Sequence, residues 1–220
     1  MIKNILISVI ILILTFNILI SKTYNYDISF SGIKGGKASL EIHKKGKFVY
    51  AMFIMNTTGF VDRFYSVRDT VKIIASYPEY HTILLDKIAH EGKTYHKHII
   101  MDVRKIDSTK LTNPIRDEYT AMIMLMDSIY SKKNSVKLNL WKKKKKVSYE
   151  FEKTNIEKIK FNGKKILCNY YEPTAKSSSK LEKKGGTGLS IWMTKTTPMN
   201  PIVVKVNMKL GHLLLELVEK

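Results

Sequence analysis

At 220 residues, with 44% hydrophobic content and a formal net charge of +19, the chain has the length for one globular domain and a sizeable core without metals or disulfides. Its single cysteine, Cys168, excludes an intramolecular disulfide. Of the 38 basic residues only Arg63, Arg68, Arg104 and Arg116 are arginine and the other 34 are lysine; phosphate and base recognition lean on the guanidinium's planar fork, so the charge is not read as nucleic-acid binding.

The chain opens on a short basic start, Met1 to Asn4, and an apolar run from Ile5 to Ile20 broken only by Ser8, Thr15 and Asn17. Ser21 and Lys22 then begin an abrupt change to polar, alternating sequence, the mark of an export leader. The run is as long as the upper end of a signal-peptide core and slightly short of the ~20 residues that span a bilayer. Residues 1–22 therefore fit either a cleaved signal peptide or a retained N-terminal anchor. No cysteine follows the run, which excludes a lipid-modified N-terminus. Residues 23–220 are expected in the periplasm or cell envelope as a single antiparallel β-rich domain.

Strand periodicity begins at once. Tyr24, Tyr26, Ile28 and Phe30 alternate with Thr23, Asn25, Asp27 and Ser29, and Ala38, Leu40 and Ile42 repeat the pattern after Gly32, Gly35 and Gly36. The glycines read as a bulge or sharp bend, because strand alternation follows them and a phosphate loop needs a helix N-terminus there. Lys47 to Met55 is apolar on both faces and reads as a central strand. Phe60 to Ala75 is mixed, and Tyr77-Pro78 ends it.

Two runs, His81 to Ala89 and Thr94 to Ile106, flank His90-Glu91-Gly92-Lys93 and read as a hairpin. With Glu91-Gly92 as a two-residue loop, Lys87 pairs with His96, Leu85 with His98 and His81 with Asp102, all on one face. His96 and His98 are then the weak metal candidates of the chain, two side chains at i and i+2 pointing the same way, with His90-Glu91 as a third source of ligands. In that register Lys87 sits beside His96 and repels a cation, and no acidic cluster completes the site, so a solvated face is the plainer reading.

After Thr112-Asn113-Pro114, Ile115, Tyr119, Met122, Ile123, Met126 and Ile129 follow helical spacing, with Asp117 and Glu118 in the first turn and Lys132 and Lys133 at the end. Met122, Met124 and Met126 make this helix the candidate wall of a pocket for an apolar or lipid-like ligand, since thioether side chains adapt to irregular guests; ordinary packing on a sheet is the plainer reading. Strands then resume on both sides of Lys142, Lys143, Lys144, Lys145 and Lys146, which places the five lysines at a hairpin tip. Such runs are usually solvated; as a binding feature they suit an anionic membrane or envelope-polymer surface. Asn162-Gly163 marks another hairpin, Thr174 to Gly188 a polar linker, and Ile202 to Leu217 two amphipathic strands broken at Gly211.

Three segments, YDISFSGIKGGKASLEI, FYSVRDTVKIIAS and IWMTKTTPMNPIVVKVNMKLGHLLLEL, resemble in order and spacing the bacterial exported family catalogued as domain of unknown function 3108. The shared features are Gly32-Ile33 with Gly36, Trp192, Pro201 and Gly211. The resemblance implies an envelope location and a mostly antiparallel fold, and it supplies no catalytic residues. Many members carry an acidic residue between the Trp strand and the proline, where this chain has Lys195, Thr196 and Thr197.

The expected fold is mainly β: a curved antiparallel sheet or incomplete β-barrel of about ten strands, with one principal α-helix packed against it. The sequence holds no nucleophile elbow, no His-Glu-x-x-His motif and no distinctive carboxylate pair, and nothing calls for a cofactor. The expected function is non-catalytic binding or carriage of an apolar ligand in the envelope; the alternative is a structural or interaction protein without a small-molecule ligand.

Overall fold

A computed structural model describes residues 20–64, 66–92, 94–105, 116–127, 135–142, 145–174, 188–196, 199–208 and 211–218. The strands are β1 (Ile20–Phe30), β2 (Ile33–Lys45), β3 (Phe48–Thr57), β4 (Val67–Ser76), β5 (Thr82–Glu91), β6 (Tyr95–Asp102), β7 (Ser135–Lys142), β8 (Lys145–Phe161), β9 (Lys164–Pro173), β10 (Leu189–Thr194), β11 (Pro201–Met208) and β12 (Gly211–Val218). A short helix α1 (Gly59–Phe64) joins β3 to β4, and α2 (Glu118–Met126) lies between β6 and β7 in the chain.

All twelve strands form one antiparallel sheet in the order β6-β5-β4-β3-β2-β1-β12-β11-β10-β9-β8-β7. Pairing of β1 with β12 brings the first and last strands together at the centre and leaves β6 and β7 as the edges of an unclosed, curved sheet. The expected architecture holds, with twelve strands rather than about ten and two α-helices rather than one among the described residues.

Period-two burial sets the inner face. In β4, Val67, Asp69, Val71, Ile73 and Ala75 are buried, while Arg68 and Lys72 point outward. Tyr24, Tyr26 and Ile28 of β1, Ala38, Leu40 and Ile42 of β2, and Val204 and Leu215 of β11 and β12 extend the same core. A second, smaller cluster lies where the end of the β8–β9 hairpin meets β10 to β12: Cys168, Ile202 and Val203 are buried there beneath Phe161, Trp192 and Leu214.

The glycine pair near the start works by close approach. A Cβ on Gly35 would fall 2.5 Å from a Val61 methyl of α1, and one on Gly36 would fall 2.7 Å from the Asn56 carbonyl oxygen. Asn162-Gly163 closes β8–β9 as a two-residue turn with both residues at positive φ, as the dipeptide leads one to expect. The strand before it is longer than the sequence suggests. Segments 147–152 and 159–161 belong to one strand, β8, because a register shift between Lys153 and Asn155 absorbs the break in alternation.

The β5–β6 hairpin corrects the expected register. Glu91 pairs with Tyr95, His90 with His96, Ile88 with His98, Lys87 with Ile99 and Leu84 with Asp102, so the loop is one residue longer than Glu91-Gly92 and every side chain changes face relative to its expected partner. Both faces of β5 mix apolar and polar residues, so neither alternation alone fixes the register. Burial of Leu85 and Ala89 decides it. Lys87 consequently lies on the inner face, away from His96 and His98.

Helix α2 occupies the concave side. Asp117 is its N-cap: one carboxylate oxygen accepts from the Tyr119 and Thr120 backbone N–H groups at 2.8 and 2.9 Å. The other accepts from the Thr82 and Thr120 hydroxyls at 2.7 and 2.5 Å. Asp127 ends the helix, its N–H donating to the Met124 carbonyl at 3.0 Å. A carboxylate at a helix C-terminus opposes the macrodipole, and here the Lys44 ammonium and the Tyr80 hydroxyl, both donating to Asp127, offset it. Buried aspartates thus fasten both ends of α2 to the sheet.

Candidate functional site

Besides the Lys44–Asp127 pair at the end of α2, the inner face carries a cluster of charges around Lys87. Lys87 Nζ lies 2.9 Å from Asp69, 3.5 Å from Glu91 and 3.2 Å from the Tyr119 hydroxyl of α2. Asp69 is 2% exposed and also accepts from the His90 backbone N–H at 3.2 Å. The Tyr119 ring packs on Phe53 with centroids 5.8 Å apart. Burial pushes Lys87 down, but Tyr119 and Asp69 outweigh it and hold the ammonium protonated above its ordinary range. Burial pushes the Tyr119 phenol up to about 12, against the pull of Lys87. A lysine held charged by Tyr119 and Asp69 is a fastening between β4, β5 and α2; it offers no free amine for nucleophilic chemistry.

Sequence reasoning missed this cluster. A signal for it was present: Asp69 falls in the inward register of Val67, Val71 and Ile73, and Lys87 falls between Leu85 and Ala89. An inward acid and an inward base on neighbouring strands announce a buried pair.

The three methionines separate. Met124 and Met126 are 1% and 4% exposed and belong to the core, whereas Met122 is half-buried on the side of α2 that also carries Tyr119 and the exposed Glu118. Lys142 ends β7 opposite Lys145, and Lys146 opposes Trp141, so these lysines close the β7–β8 hairpin; Lys143 and Lys144 lie outside the described residues. His96 stacks edge-on against His90 with centroids 4.9 Å apart, and His98 Nε2 lies 2.6 Å from Asp86 Oδ1 on the same outer face. Lys87, expected beside His96, is on the opposite face. Among the described residues no three His, Cys, Asp or Glu side chains are placed to hold a metal ion.

Two further features lie around the β8–β9 hairpin. Trp192 Nε1 donates to Glu157 at 2.7 Å, and its ring packs on Tyr170 at 4.7 Å. A shallow recess of about 270 Å³ lies between the β8–β9 turn and β1, β11 and β12, with Asp27, Lys34, Lys160 and Glu216 around apolar walls. Cys168 is inaccessible, and burial pushes its thiol up, away from the reactive thiolate.

The sequence matches the family model described as Protein of unknown function (DUF3108) over residues 25–218. The chain belongs to the DUF3108 family. Its glycine, tryptophan and proline features have structural places: Gly36 at the β2–β3 contact, Trp192 over the second cluster, and Pro201 at the head of β11, where its carbonyl accepts from the Tyr26 hydroxyl at 3.3 Å. No curated protein matches the sequence. Among solved structures, a beta-barrel-like protein of domain of unknown function DUF1849 from Brucella abortus is similar at a TM-score of 0.41 and 8% identity, covering 90% of this chain and 95% of that one. Among the described residues no helix is long and apolar enough to cross a membrane.

The tyrosines give the fold a pH dependence. Burial raises the pKa of Tyr24, Tyr26, Tyr119, Tyr170 and Tyr171, Tyr119 to about 12. An acid whose folded pKa exceeds its unfolded value of about 10 contributes stability that is present below pH 10 and lost as pH rises through the folded value. The protonated Lys87 acts with the same sign. Thermal melts are expected to hold level from about pH 7 to 9 and to fall steeply above about pH 10; a melting temperature unchanged to pH 12 would contradict the buried placement of these phenols.

Proposed function

We propose that this is an exported envelope protein that acts by binding through its surface, without catalysis and without an enclosed small-molecule ligand. The leader at residues 1–22 supports export. The observation that carries the rest is the occupation of the concave face by α2, with Ala121, Ile123, Met124, Leu125 and Met126 buried and both ends held by buried aspartates. Where a half-open carrier would keep an acyl chain, this chain keeps its own helix. The lysines at 142–146 would serve the same surface role as a salt-sensitive contact for anionic headgroups or polymers.

One observation favours the carrier reading: Met122 and Tyr119 are half-buried, so one side of α2 is within reach of solvent. Native mass spectrometry of the purified protein, paired with lipid extraction, separates the two. The expected result is protein without a stoichiometric lipid. Recovery of one lipid per chain would overturn the surface reading in favour of a carrier whose ligand displaces Met122, Met124 and Met126.

A further inference from the structure

We propose that β6 is a docking edge for an acidic, extended segment of a partner protein, which adds to the sheet alongside it. The proposal names the partner chemistry for the surface-binding reading and rests on it.

Three observations converge on this strand. β6 ends the sheet order, so the side turned away from β5 has no paired strand among the described residues, and alternate N–H and C=O groups face outward. Every side chain from Tyr95 to Ile100 is exposed, on both faces, which marks a rim projecting beyond the cover of α2. Large apolar side chains gather there: Ile100 is 61% exposed, with Ile99, Tyr95 and Ile88 of the neighbouring strand also open. Natural edges are usually blunted, and an apolar edge left open invites a strand.

Charge selects the occupant. The carboxylates of this hairpin are already engaged: Asp86 with His98 at 2.6 Å, Glu91 with Lys87 at 3.5 Å and Asp102 with Arg104 at 2.8 Å. Lys97 lies over the Tyr95 ring at 4.8 Å and meets no carboxylate among the described residues. Residues 82–105 carry five lysines or arginines against three carboxylates in a chain of net charge +19, an excess that disfavours a second copy and favours an acidic segment. A bilayer would welcome the isoleucines but leave the edge amides without partners, whereas a strand pairs them.

The probes are synthetic peptides of about ten residues, long enough for one strand. One alternates valine with glutamate, a second has lysine for glutamate, and a third is the glutamate peptide N-methylated at alternate residues to remove backbone donors. Each is titrated against the full chain, with hydrogen exchange of residues 95–102 as the structural readout. The glutamate peptide is expected to bind and slow exchange in β6, with the lysine and N-methylated peptides weaker by about tenfold or more. In the variant Lys97→Glu the preference between the charged peptides reverses. Equal binding of the N-methylated peptide overturns strand addition, and equal binding of the lysine peptide overturns the charge argument. No binding by any peptide at about 1 mM overturns the site. Protection of β6 by phosphatidylglycerol vesicles or by self-association, without peptide binding, reassigns the edge to a membrane or a second copy. The lipid extraction described above tests the surface reading separately, so the two can fail independently.

Discussion

Asp117→Ala is expected to lower the unfolding free energy by about 3 kcal/mol and the melting temperature by about 6–12 °C. The carboxylate is 1% exposed and satisfies four donors at once, two backbone N–H groups of the first turn and the hydroxyls of Thr82 and Thr120. Loss of an N-cap alone costs about 1 kcal/mol, and buried donors left without partners add about 1–3 kcal/mol. The hydroxyls recover part of this, since Thr82 Oγ1 lies 3.1 Å from Thr120 Oγ1 and can turn its proton to it once Asp117 is gone. Asp117→Asn keeps an oxygen for the first-turn N–H groups and presents its amide to hydroxyls that can accept, so its cost should stay near 1 kcal/mol. Urea denaturation of both variants, with m unchanged, checks the pair. An alanine variant within about 0.5 kcal/mol of the parent would mean that α2 is not anchored by this residue.

That helix also shows how far a sequence can be read. Its acidic first turn was visible at Asp117 and Glu118, and Met124 and Leu125 beside Ile123 and Met126 made an apolar stripe too broad for one face. What was not visible is why the stripe is broad: the helix lies within the concavity of a curved sheet, so nearly every side needs apolar contacts. Its fastening at Asp127 depends on Lys44, 83 residues away, and no local pattern links them. The strands divide in the same way. Alternation in β1, β2, β11 and β12 and the Asn162-Gly163 turn were legible because they are local, whereas the equally regular alternation of β4 lies in a stretch that reads as mixed. The β5–β6 register was not, because apolar residues occupy both faces and only packing against the rest of the sheet chooses between them. The error had a chemical consequence. It set Lys87 next to His96 on an outer surface, when Lys87 belongs inside with Asp69.

The buried pair they form yields the second large effect. Lys87→Met is expected to destabilise by about 3–5 kcal/mol, the range for removing one partner of a buried ion pair. The methionine replaces the lysine stem between Leu85 and Ala89; the loss comes from Asp69, a buried carboxylate left, among the described residues, with the His90 N–H as its donor. Asp69→Val added to Lys87→Met removes that orphaned charge and continues the Val67, Val71, Ile73 face of β4, so the double variant should recover to within about 1 kcal/mol of the parent. The two substitutions are then strongly non-additive, with a coupling of at least about 2–4 kcal/mol. Denaturant unfolding of the parent, both single variants and the double variant closes the cycle. A double variant as unstable as the sum of the singles would deny the contact. A stable double variant that failed to take up the glutamate peptide bound by the parent at β6, one strand away, would instead give Lys87 a role beyond fastening α2 to the sheet.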